Sequence, residues 1–165
     1  MGDLLYCLGS ADRYPANGLS TVILQSWADA EDGTNLAIQN EAIEQFATKC
    51  NGLVHLEVSS MGSLGFMDSV ITLALQMLNA SDSVAFLDFT GNQLDSDQTD
   101  NLVAGAATST SATAFVNTNF RSATWNEDNS PSLADFIDKA TNCSTLDITD
   151  QLGDKITLVR YNLST

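Results

Sequence analysis

Three cysteines, one histidine and a short run of aspartates are the residues of this sequence whose chemistry could go beyond packing. Cys7, Cys50 and Cys143 form no CxxC pair and no metal-ligand spacing. An odd number cannot close into a fully paired disulfide framework within one chain. They therefore read as buried small hydrophobes in a reducing compartment. His55 has no Ser or Cys at motif spacing, so it starts no nucleophilic triad, and alone it makes no metal set. Asp95, Asp97 and Asp100 invite a calcium reading. A helix–loop–helix calcium loop counted from Asp95 needs Gly at its sixth position and Glu at its twelfth, and the chain has Asp100 and Ala106 there. The three acids fit the first turn of a helix better, where the dipole favours negative charge. No catalytic residue, metal or cofactor is expected, and the chain reads as a non-enzyme.

The elements that would position a binding surface are clearer. Five short, mostly β-prone runs stand out: Leu19–Leu24, Leu53–Val58, Val84–Phe89, Thr113–Thr118 and Cys143–Ile148. Helix-like segments lie between them at Asn35–Cys50, Phe66–Asn79, Asp97–Thr110 and Ser130–Asn142. The last opens with Ser130 as N-cap and Pro131 in the first turn. The central apolar residues Val22, Leu56, Leu87, Val116 and Leu146 recur at intervals of 34, 31, 29 and 30 residues. One strand plus one helix every thirty residues or so is the signature of a solenoid.

Strand polarity separates that fold from a doubly wound α/β sheet. A sheet covered on both faces has continuously apolar strands. Here Val54, Leu56 and Val58 share one face while His55 and Glu57 share the other, and Leu146 and Ile148 oppose Thr145 and Asp147. The expected fold is α/β, a solenoid of about five strand–helix coils whose parallel sheet has helices on one side only. Residues 1–18 would cap its start, 19–148 form the repeats, and 149–165 close its end as a hairpin that returns along Lys155–Tyr161.

Composition bounds the partner. The 165 residues carry 21 Asp and Glu against 6 Lys and Arg, a formal charge of −15. So acidic a chain is no nucleic-acid binder, and it will not dock on an anionic membrane. No apolar run is long enough to span a bilayer. Without a basic segment followed by an apolar one near its start, the protein is expected in the cytoplasm. An acidic surface favours a basic protein partner.

The third repeat resembles a leucine-rich repeat of the ribonuclease-inhibitor type, LxxLxLxxNxL followed by a helix. It reads Val84-x-x-Leu87-x-Phe89-x-x-Asn92-x-Leu94, with Leu102 and Ala106 at the helical apolar positions. The resemblance implies that the Asn92 side chain bonds backbone along the turn, as one rung of a ladder between coils. In the other repeats the Asn position falls on Trp27, Met61 and Arg121. The string LDFTGNQLDSD (Leu87–Asp97) is also similar to the phospho-acceptor loop of STAS domains. That likeness implies an alternative, a regulatory switch with Ser96 as acceptor.

In a leucine-rich coil the residues between the core leucines point to the concave face. Two rows are then expected across the strands. One is Thr21, His55, Phe86, Phe115 and Thr145; the other is Ile23, Glu57, Asp88, Asn117 and Asp147. Phe86 and Phe115 would be neighbours, because adjacent strands lie under about 5 Å apart. Aromatic anchors beside acids are typical of interface hot spots. The partner-binding candidates are therefore His55, Glu57, Phe86, Asp88, Phe115, Asn117 and Asp147. The Phe66–Leu78 helix is apolar nearly all round, which points to a subunit contact. The function expected is a protein–protein interaction module or a structural subunit of an assembly.

Overall fold

The computed structural model describes residues 8, 19–25, 40–61, 64–121, 123–149 and 153–160. Six strands form one sheet: β1 (Thr21–Gln25), β2 (His55–Ser59), β3 (Phe86–Asp88), β4 (Asn117–Phe120), β5 (Thr145–Thr149) and β6 (Lys155–Val159). Spatial order follows sequence order, β1-β2-β3-β4-β5-β6. The first five are parallel, and β6 returns antiparallel to β5. Among the described residues four helices intervene: α1 (Asn40–Ala47), which ends in a 3-10 turn at Thr48–Cys50, α2 (Leu64–Ala80), α3 (Ser96–Thr108) and α4 (Ser130–Lys139). The fold is mixed α/β with an open sheet.

The core sits on one face of that sheet. Val22, Leu56, Leu87, Thr118 and Leu146 are register partners across five strands, and all are buried. Consecutive helices pack side by side over them, α1 on α2, α2 on α3 and α3 on α4. Alternate strand residues therefore find apolar cover on one side only, which is what their polarity demands.

Local sequence explains the joints. Asp95 caps α3: its side chain accepts from the Gln98 N–H at 2.8 Å, and Gln98 Oε1 accepts from the Asp95 N–H at 3.3 Å. This capping box satisfies two helix-end donors at once. α4 starts differently from expectation. Its N-cap is Asn129, and Ser130 is the first helical residue with Pro131 behind it. Ser130 Oγ donates to the Asn126 carbonyl, so it braces the approach to the helix and leaves the helix end uncapped.

The fourth strand lies later in the sequence than its apolar run suggests. Register pairs Leu87 with Thr118, and not with Val116. The unit therefore reads Phe115-x-x-Thr118-x-Phe120, the spacing of Val84-x-x-Leu87-x-Phe89, with its Asn position on Ala123 and not on Arg121. A polar centre hides the frame. Thr118 is buried, and its hydroxyl receives the Cys143 thiol at 3.7 Å.

α2 buries Met67, Val70, Ile71, Leu73, Ala74, Met77 and Leu78, while Asp68, Thr72, Gln76 and Asn79 make a narrow exposed stripe. Its apolar surface is used within the chain, between α1, α3 and the sheet, so the subunit contact expected at Phe66–Leu78 loses its basis (the Phe66 side chain lies outside the described residues). A Cβ on Gly105 would come within 2.6 Å of the Leu75 methyls, so α3 approaches α2 closely where glycine stands. Residues 1–18 and the ends of the closing segment also fall outside the described residues, Leu8 apart.

Candidate functional site

The side of the sheet away from the helices carries two rows of residues set by strand register. One runs Thr21, His55, Phe86, Asn117, Thr145 and Val159. The other runs Ile23, Glu57, Asp88, Asn119, Asp147 and Thr157. Ile23 is 54% exposed and Phe86 39%, large values for apolar side chains in a sheet.

Phe86 stacks on His55 with ring centroids 5.8 Å apart and planes 24° apart. Carboxylates flank this aromatic pair. Glu57 Oε1 accepts from Ser59 Oγ at 2.8 Å, and its Oε2 stands 3.9 Å from His55 Nε2. Asp88 Oδ1 accepts the Thr90 N–H at 2.7 Å. Both acids are thus held from their own strand ends, and they are register partners of each other. Farther along the row, Arg121 donates to Asp147 at 3.2 Å, and Thr157 donates to the other oxygen of Asp147.

Phe115 does not belong to this surface. It is fully buried and stacks on Phe136 at 5.7 Å, inside the core. The two-residue displacement of β4 puts Asn117 beside Phe86, where Phe115 was expected, and Asn119 beside Asp88, where Asn117 was expected. Asn119 and Arg121 are the surface residues that sequence reasoning missed. Their signal was the recurrence of the Phe-x-x-Thr-x-Phe spacing, which an all-apolar template passes over.

Asn92 is wholly buried and bonded on every side. Its Nδ2 donates to the Val58 and Phe89 carbonyls at 2.7 and 3.0 Å, and its Oδ1 accepts the Met61 N–H at 3.0 Å. Gly91 precedes it at φ +77°, and a Cβ there would lie 3.0 Å from Ser60 Oγ. The positive φ and the close approach both favour glycine.

Other polar bonds repeat at the same stride. Ser81 Oγ donates to the Leu53 carbonyl 28 residues away, Ser111 Oγ to the Ser81 carbonyl 30 away, and Thr124 Oγ1 to the Leu94 carbonyl 30 away. Ser96 belongs to this set. Its Oγ accepts from Asn126 Nδ2 at 2.7 Å, which joins the start of α3 to the next loop. Phosphate on Ser96 would have to displace that bond.

The thiols lie in the core. Burial pushes the Cys50 thiol up to about 11 and raises that of Cys143 too, against the lowering effect of its bond with Thr118. A raised thiol is a poor nucleophile; Cys7 lies outside the described residues. Among the described residues no three His, Cys, Asp or Glu side chains gather as a metal site, and no helix is long and apolar enough to cross a membrane. No protein-family model, curated protein or solved structure matches the chain.

Proposed function

We propose that this protein is a non-catalytic interaction module, a leucine-rich-repeat-like solenoid that binds a basic protein partner on its helix-free face. The observation that carries the reading is the Phe86–His55 stack flanked by the register-paired carboxylates of Glu57 and Asp88. Like charges side by side on neighbouring strands repel. An arginine or lysine from a partner relieves that repulsion and rests on the exposed Phe86 ring as a cation–π contact. Ile23 extends the apolar floor on one side, and Asn117 and Asn119 supply amide donors and acceptors on the other. The ladder of polar bonds at a stride of about thirty residues, with Asn92 at its centre, supports the solenoid.

The test is titration with a panel of arginine- and lysine-rich peptides that each contain one apolar residue. At low salt some members bind. Phe86→Ala, and separately Glu57→Gln with Asp88→Asn, each weaken binding by about tenfold or more, and added salt does likewise. Binding that ignores both the substitutions and the salt overturns the proposal.

A further inference from the structure

The last strand differs from the rest of the sheet. β6 pairs with β5 along one side and is the final strand in order, so among the described residues its other side is an edge. All five of its residues are exposed. Ile156 and Leu158 continue the core face, opposite Ile148 and Leu146, yet they are 42% and 41% exposed where those partners are 7% and 5%. The helical layer explains this among the described residues: α4 is its last member and precedes β5. A cleft of about 290 Å³ opens there, lined by Phe136, Ile137, Ala140, Cys143, Leu146 and Leu158 among others. Protein edges are commonly blunted by proline, bulges or charge. β6 carries Lys155 at its start, and the rest of it is apolar apart from Thr157.

Charge singles out the same place. From residue 139 onward, Lys139, Lys155 and Arg160 balance Asp147, Asp150 and Asp154. The whole excess of −15 therefore lies in residues 1–138. Two copies of this chain repel over most of their surfaces, and the repulsion is weakest toward the β6 end, where the neighbouring α4 carries Asp138 and an Asp135 that is paired with Lys139.

The register completes the case. If β6 lies antiparallel to a second β6 about Thr157, each Ile156 falls opposite the partner's Leu158 on the uncovered apolar face. Lys155 then falls opposite the partner's Val159, and Asp154 opposite the partner's Arg160. No like charges face each other, and the two-fold arrangement is self-complementary. We propose that β6 is a self-association edge through which two copies join their sheets and cover the Ile156–Leu158 patch. It lies apart from the Phe86–His55 surface, so either proposal can fail alone.

Sedimentation equilibrium tests it. The wild-type chain should show a concentration-dependent mass approaching twice 17.6 kDa. Ile156→Lys with Leu158→Lys should return the monomer with an unchanged melting temperature, and Ile23→Lys should leave the dimer intact. A wild-type monomer at the highest soluble concentration overturns the proposal, as does a dimer that survives the double substitution. Hydrogen exchange on the unaltered protein gives a second reading. The Thr157 and Val159 amides, which alternate with those bonded to β5, should gain protection as concentration rises, and protection independent of concentration refutes self-association.

Discussion

Between β3 and α3 the chain turns on Asn92, which is buried and bonded to three backbone groups. Between β4 and α4 the same position is Ala123, and rings fill the space around it. Phe120 meets Phe136 edge to face at 5.4 Å and Trp125 at 6.4 Å. Leu94 and Ala123 form a parallel bridge, so the two turns run side by side. One turn is thus held by an amide that satisfies buried polar groups, and the unit beside it by apolar contact. The second turn recovers its polar link elsewhere, through Asn129 Nδ2 to the Thr124 carbonyl at 2.7 Å and Asn126 to Ser96. The equivalent positions Asn92 and Ala123 are thus both buried, with different kinds of contact around them.

Substitutions can break that equivalence. Phe120→Ala should have the largest effect, a loss of about 3–5 kcal/mol, since a buried ring leaves a cavity its neighbours fill poorly. Denaturant unfolding measures it, and a loss below that of an exposed residue would mean the aromatic turn is not what holds the fourth unit. Asn92→Ala should follow at about 2–3 kcal/mol, because it strands buried carbonyls and an N–H. A neutral result there would reduce the amide to a passenger in its turn. Cys50, buried in the 3-10 turn that ends α1, probes the core by pH. Its folded thiol titrates at about 11 against an ordinary value of 9.0, so the folded state is favoured while both forms are protonated. That advantage is lost as pH rises from 9.0 through 11, because the unfolded chain ionises first. Cys50→Ala should flatten that part of the stability–pH curve. Phe86→Ala should change stability least, by less than about 1 kcal/mol, whereas Phe115→Ala should cost about 3–5 kcal/mol. Equal costs would mean the two faces of the sheet are not distinct.

The alternation of apolar and polar residues was enough to place β2, β3 and β5, because each has a hydrophobic centre with polar neighbours. It also put His55 next to Phe86. The fourth strand escaped because Thr118 occupies a core position, and what makes a threonine tolerable there is a thiol 25 residues on. Sequence spacing cannot display such a satisfied polar pair, so the frame settled on Val116 and carried Phe115 to the wrong face. Lys155–Val159 was legible as a strand, but not its exposure, which depends on where the helical layer stops. Asn92 was legible only through the pattern around it.

The polar bonds between units span 25 to 34 residues, from Cys143–Thr118 to Asn92–Val58. Each therefore closes as soon as the next unit exists. During synthesis, a newly emerged strand and helix can dock on the preceding unit without waiting for the C-terminus, since the contacts required are always one unit back. β6 is the exception in direction and in distance: it doubles back on β5, with register partners from Thr149↔Lys155 to Thr145↔Val159. Once Lys155–Val159 has emerged, it covers the free side of β5 by antiparallel pairing.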